Sequence, residues 1–194
     1  MAIDREVVAH HEAGHAVAAY VLGVNLHRIS IVSDGDAAGQ VIHDYGCNMN
    51  EAIYEDDGIR QWALERSAIV SLAGEAAQRQ FRAESVEEEH GSGDRLHAHE
   101  MLDHLVGEED QELREAWYTV LVLRAERLIA EHWVRVEWLV GLLLKETTIE
   151  GEEEIRHAIA DVDLPMEHRG KRLSFSDRLA ISVGKPLGDA TSPG

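Results

Sequence analysis

The sequence predicts a mainly α-helical domain that carries one small β-hairpin near its beginning. Apolar residues recur every three to four positions through several long stretches, as expected for helices that bury one face. A single short region instead alternates apolar and polar residues on both sides of a glycine-containing turn, which indicates two antiparallel strands. With 194 residues, 44% of them hydrophobic, the chain is long enough for one domain with a core of its own.

The first predicted helix spans residues 4–22. Asp4 is suited to cap its beginning, and Gly23 is suited to end it. The hairpin follows, with strands predicted over 26–32 and 39–43 and the turn residues SDGDAAG between them. The hairpin thus separates the first helix from the helices that come after it.

Helical spacing resumes after the hairpin and continues almost to the end of the chain. Further helices are predicted over 59–82, 94–106, 111–133 and 135–146, with a short one inside 148–159. Beyond Pro165 the pattern ends, and prolines and glycines become frequent. We therefore expect a domain over residues 1–163 and a partly ordered C-terminal extension over residues 164–194.

The charge balance is strongly acidic and excludes several classes of partner. The 18 Lys and Arg residues are outnumbered by 37 Asp and Glu residues, which gives a net charge of −19 with neutral His. Such a surface repels phosphate backbones and anionic membranes, so we expect no nucleic-acid partner and no membrane insertion. A single cysteine, Cys47, and the lack of a signal-peptide pattern favour a cytoplasmic protein, and a homo-oligomer is compatible with the sequence.

Residues 11–15 read His-Glu-Ala-Gly-His and form the pattern with the clearest chemical meaning. In a helix, positions i and i+4 share one face, so His11 and His15 can direct imidazole nitrogens at one zinc ion. Glu12 is adjacent to the first histidine and can take a proton from a water molecule that zinc has made more acidic. The motif thus predicts peptide-bond hydrolysis with Zn2+ as the cofactor and Glu12 as the general base.

Two neighbours within the same helix carry further expectations. Gly14 lies in the middle of the predicted helix, where glycine costs about 1 kcal/mol relative to alanine. We therefore expect a close neighbour there, such as a strand or a substrate backbone. His10 points about 100° away from the histidine pair, so we expect it to lie at the surface or to support a ligand.

Two histidines leave a tetrahedral zinc ion in need of a third protein ligand. The downstream candidates are Asp94, Glu75, His90 and His97. Asp94 follows a Gly-Ser-Gly segment that lets its side chain approach closely, whereas Glu75 lies within an apolar stretch of a long predicted helix. These surroundings favour Asp94 and leave the other three open.

Four stretches of the sequence are informative in their order. They read VAHHEAGHAVAAYVLGVNLHRISIV, IVSLAGEAAQRQF, GSGDRLHAHEML and LLLKETTIEGEEEI, and they lie between residues 4 and 160. In this order they resemble the zinc peptidase domain of the FtsH-type ATP-dependent proteases. The resemblance implies a zincin-like helical peptidase domain in which His11, His15 and Asp94 bind zinc and Glu12 is the catalytic base. It therefore implies a zinc metalloendopeptidase that acts on polypeptides.

The sequence also departs from that family. No ATPase domain is expected ahead of the motif, so the resemblance implies a stand-alone peptidase that acts without ATP. The hairpin turn lacks the Pro-Arg-Gly-like sequence of the family, and Arg95 stands between Asp94 and the leucine that would follow it in the family.

Two other interpretations stay open at this stage. A non-catalytic adaptor or peptide-binding protein could keep the fold and even the metal. An acidic helical domain could instead carry the His-Glu pattern by chance. Zinc content distinguishes the chance pattern from the other two, and proteolysis of an unfolded substrate distinguishes the enzyme from the adaptor.

Overall fold

The computed structural model describes residues 4–33, 39–43, 57–86, 92–107 and 109–171. Six α-helices and three β-strands lie in this part of the chain, and the mainly helical prediction is confirmed. The elements are, in order, α1 Arg5–Leu22, β1 Leu26–Ser30, β2 Gln40–His43, α2 Asp57–Phe81, α3 Ser92–Val106, α4 Gln111–Glu131, α5 Trp133–Glu146, β3 Thr148–Glu150 and α6 Glu152–Ala160. Among these described helices, none has both the length and the apolar character needed to span a membrane.

Helix α1 is capped by the residues that the sequence predicts. The Asp4 side chain accepts a hydrogen bond from the backbone N–H of Glu6 at 2.9 Å, and Gly23 has the left-handed backbone conformation, with φ of 70°. Nearly all residues from Val8 to Ala19 are buried, because the helix packs against α2 and α5. The His-Glu-Ala-Gly-His motif therefore lies in the interior of the molecule.

Helices α1 and α2 approach each other very closely at Gly14. A Cβ atom at this position would lie 2.7 Å from the Cβ atom of Ala77 and would collide with the backbone oxygen of Ala73. Only glycine permits this approach without a shift of one helix. The expected close neighbour is present, but the expectation of a strand or a substrate backbone is wrong, because the neighbour is α2.

The three strands form one antiparallel sheet in the order β2–β1–β3. Ile29, at the centre of β1, pairs with Val41 of β2 on one side and with Ile149 of β3 on the other. The predicted hairpin corresponds to β1 and β2, but the prediction that it stands alone is wrong. Strand β3 has only three residues, too few for alternating apolar and polar positions to be recognised in the sequence.

The residues that follow α5 contact both the first strand and α5 itself. The backbone N–H of Gly151 donates to the backbone oxygen of His27 at 3.0 Å, next to the pairing of β3 with β1. The indole N–H of Trp138 in α5 donates to the backbone oxygen of Ala158 in α6 at 2.9 Å. The sheet, α5 and α6 are thus parts of the same core as α1.

Some predicted features lie outside the described residues. They include most of the hairpin turn, Cys47, the candidate ligand His90 and the C-terminal extension from residue 172 onward. The partial order of that extension and a domain boundary at residue 163 stay predictions.

Candidate metal centre

Three side chains from two helices converge in a group that could hold a metal ion. The Nε2 atoms of His11 and His15 are 3.0 Å apart. The Oδ2 atom of Asp94 lies 3.0 Å from Nε2 of His11 and 3.4 Å from Nε2 of His15. The histidines share one face of α1, and Asp94 is in the first turn of α3. The structure therefore brings together the three residues that we predict to be metal ligands.

Hydrogen bonds hold both imidazole rings in a single orientation. His15 donates from Nδ1 to the backbone oxygen of Val70 at 2.8 Å, and His11 donates from Nδ1 to Oε1 of Gln78 at 3.1 Å. The amide of Gln78 is itself oriented, because its Nε2 donates to the backbone oxygen of Ser85 at 2.8 Å. With the hydrogen on Nδ1, a neutral imidazole presents its lone pair at Nε2, which is the arrangement that a metal ligand requires.

The converging atoms require a proton or a metal ion between them. Two imidazole lone pairs and a carboxylate oxygen repel one another at these distances unless a proton or a metal ion lies among them. Burial disfavours the charged form of His15, but the charge and hydrogen bond of Asp94 outweigh burial and raise the pKa of His15 to about 9. Burial likewise disfavours ionised Asp94, yet His15 and His11 hold its pKa well below the usual range. The group is therefore built around positive charge.

Gly74 of α2 leaves space for both imidazole rings. A Cβ atom at this position would lie 2.6 Å from Cε1 of His15 and 2.8 Å from Nε2 of His11, and it would collide with Nε2 of His15. No role for Gly74 is predicted from the sequence. A signal was present, because a glycine in the middle of a helix is as costly at Gly74 as it is at Gly14.

Glu12 is buried near the two histidines but does not belong to the three-residue group. Burial raises the pKa of its carboxyl group; the charges of His15 and His11 oppose the rise, and the charge of Asp94 adds to it. Gly39, the residue before β2, lies close to the Glu12 side chain, since a Cβ atom on Gly39 would lie 2.6 Å from Oε1 of Glu12. A buried carboxyl group with a raised pKa beside a metal centre is suited to accept and return a proton.

Two of the alternative ligands are engaged elsewhere. Glu75 accepts hydrogen bonds from Arg95, with Nη1 2.5 Å from Oε2, and from Arg79 at its other oxygen. Nε2 of His97 lies 3.2 Å from the hydroxyl oxygen of Ser67. Neither side chain belongs to the group of three, so the geometry favours Asp94 over both.

His10 lies neither at the surface nor against a ligand. Its ring stacks on Phe81 with the ring centroids 3.7 Å apart, and its Nδ1 donates to the backbone oxygen of Glu6 at 2.7 Å. Burial lowers the pKa of His10. The expectation of a surface or supporting role is wrong, because the ring packs α1 against the end of α2.

Comparison with models of known protein families and with curated proteins finds no match to this sequence. Any functional assignment therefore rests on the chemistry of the site itself.

Proposed function

We propose that the protein is a zinc metalloendopeptidase of zincin-like, FtsH-type character that hydrolyses peptide bonds of unfolded polypeptides without ATP. The observation that carries the proposal is the convergence of His11, His15 and Asp94 beside the buried carboxyl group of Glu12. Two imidazoles and a carboxylate are typical of hydrolytic zinc centres, in which the fourth position is left for water or substrate.

The separations of the ligand atoms support zinc as the metal. Two ligand atoms bound at about 2.0–2.1 Å in a tetrahedral arrangement lie about 3.3 Å apart. The separations among His11, His15 and Asp94 are between 3.0 and 3.4 Å. A site with two imidazoles suits zinc better than magnesium or calcium, which prefer oxygen ligands.

The residues of this chain would divide the chemistry among them. Zinc would make a water molecule more acidic and polarise the peptide carbonyl group. Glu12 takes a proton from the attacking water and passes it to the leaving amine. With zinc bound, His11 and His15 would be neutral ligands, and they keep their orientation because each donates its Nδ1 hydrogen to a fixed acceptor.

Glu12→Gln tests this division of roles. The substitution keeps the shape of the side chain and removes the base, so zinc content is expected to be unchanged while hydrolysis falls by at least about 100-fold. Zinc is measured by mass spectrometry of the purified protein, and hydrolysis by release of peptides from unfolded, fluorescently labelled casein. Glu115→Gln makes the same change at an exposed position of α4 and is the matched control, expected to leave both measurements unchanged.

Two results would contradict the proposal in different ways. A Glu12→Gln protein that cleaves casein at the wild-type rate would exclude Glu12 as the base. A wild-type protein that contains zinc and cleaves no unfolded substrate would indicate the metal-binding adaptor instead.

A further inference from the structure

The placement of Asp94 depends on a different helix from the one that carries the histidines. His11 and His15 are one turn apart on α1, so the helix itself fixes their spacing. Asp94 lies in the first turn of α3, and its side chain is 33% exposed. Its position at the metal centre therefore depends on what holds the beginning of α3 against α2.

An ion pair joins these two helices beside the metal centre. Nη1 of Arg95 lies 2.5 Å from Oε2 of Glu75, and the two side chains are 26% and 17% exposed. Arg95 directly follows Asp94. Glu75 directly follows Gly74, the residue against which both imidazole rings lie. The pair thus links the backbone next to the carboxylate ligand to the backbone next to the histidines.

We propose that the Glu75–Arg95 ion pair positions Asp94 for metal binding. Arg79, one turn further along α2, donates to the other oxygen of Glu75 and so restricts the carboxylate that receives Arg95. Ion pairs near a surface contribute little to stability, whereas groups that orient a metal ligand change metal affinity strongly. Arg95 and Glu75 are therefore positioning residues, whose loss affects zinc affinity more than folding.

This inference rests on the metal centre of the proposed function and not on peptide hydrolysis. Its measurement is the zinc affinity of the full chain, obtained by competition with a chromophoric chelator. Arg95→Ala and Glu75→Ala are each expected to weaken zinc binding by about 10-fold to 100-fold. The double variant is expected to bind zinc about as tightly as the single variant with the lower zinc affinity, because both changes break the same link.

Two further readouts separate positioning from a merely structural role. Arg95→Lys restores the positive charge and is expected to recover part of the lost affinity, although lysine lacks the planar guanidinium group. In protein loaded with Co2+ instead of zinc, the visible absorption spectrum of Arg95→Ala is expected to differ from that of the wild type, because the spectrum reports the geometry of the ligands.

Arg114→Ala is a matched control. Arg114 of α4 pairs with Asp103 of α3 at 2.7 Å, and these side chains are 24% and 30% exposed, much like the pair beside the metal centre. This second pair also joins α3 to a neighbouring helix, but it lies near the opposite end of α3. Arg114→Ala is expected to keep zinc affinity within about twofold of the wild type, since it leaves the link to Asp94 intact.

The possible outcomes separate this inference from the proposed function. Unchanged zinc affinity in Arg95→Ala and Glu75→Ala would overturn the positioning role. An equal loss in Arg114→Ala would also overturn it, by showing that any loosening of α3 weakens the site. A wild-type protein that binds zinc but cuts no peptide would overturn the proposed function alone, and one that binds no metal would overturn both.

Discussion

Gln78, Val70 and Gly74 shape the candidate metal centre without belonging to the converging group. Two of them fix the orientation of the imidazole rings, and the third leaves room for them. The pairing of His11 with His15 could be predicted from the sequence, because it depends only on the local geometry of one helix.

The remaining parts of the centre depend on how separate helices pack. The sequence alone favours Asp94 but does not exclude the other candidates, because the approach of Asp94 to the histidines depends on how α3 lies against α2. Val70 contributes a backbone oxygen, which no residue type reveals. Gln78 lies 67 positions from the histidine it orients, so no local spacing could identify it.

Gly74→Ala is expected to weaken zinc binding by about 10-fold or more while the helical fold persists. The three atoms nearest to the added Cβ atom all belong to the two imidazole rings, so the rings, and not the backbones of the helices, are expected to move aside. Zinc affinity by chelator competition and helix content by circular dichroism measure the two parts of this prediction.

Gly93→Ala is the control for that substitution. It adds the same methyl group one residue before Asp94, where nothing lies within 4 Å of the new atom. Its zinc affinity is expected to match that of the wild type. Wild-type affinity in Gly74→Ala would show that the rings need no space at this position.

At the scale of elements, the helices are predictable and the sheet is only partly so. Five helices could be located because each repeats apolar residues over many positions, and the short α6 from the acidic residues in its first turn; α1 also carries both of its predicted caps. Strand β3 has only three residues, too few to show the alternation of apolar and polar residues that identifies a strand. Its position beside β1 also depends on pairing across more than 100 residues, as shown by the 2.9 Å separation of the hydroxyl oxygens of Ser30 and Thr148.

Two substitutions of helical glycines are expected to change the free energy of unfolding in opposite directions. Gly14→Ala forces a Cβ atom against the backbone of α2 and is expected to lower the free energy of unfolding by about 1–3 kcal/mol. Gly141→Ala, in the middle of α5 with open space around the new atom, is expected to raise it by about 0.5–1 kcal/mol. Urea denaturation followed by circular dichroism measures both, and stabilisation by Gly14→Ala would contradict the close crossing.

At the scale of the whole molecule, the fold gathers distant segments around one site. Residues 11–15 of α1, residues 70–78 of α2 and the first turn of α3 all contribute to the candidate metal centre. Composition and charge bear on which kinds of partner are expected, but they could not reveal this assembly, because it arises from the packing of three helices.

The whole chain is expected to hydrolyse unfolded substrates without nucleotide. The sequence contains no glycine-rich loop ending in Gly-Lys-Ser or Gly-Lys-Thr, the pattern that binds nucleotide phosphates. The rate of casein cleavage is therefore expected to be the same with and without Mg-ATP, and a zinc chelator is expected to stop cleavage in both cases. A rate that increases with Mg-ATP would contradict this prediction.

The most direct test of the metal centre is an anomalous difference map from crystals of the zinc-loaded protein, recorded at the zinc absorption edge. One peak is expected, at about 2.0–2.2 Å from Nε2 of His11, from Nε2 of His15 and from a carboxylate oxygen of Asp94. Zinc bound by the histidines together with Glu75, with Asp94 distant, would show that the third ligand is misassigned. The absence of any peak beside α1 would contradict the metal centre as a whole.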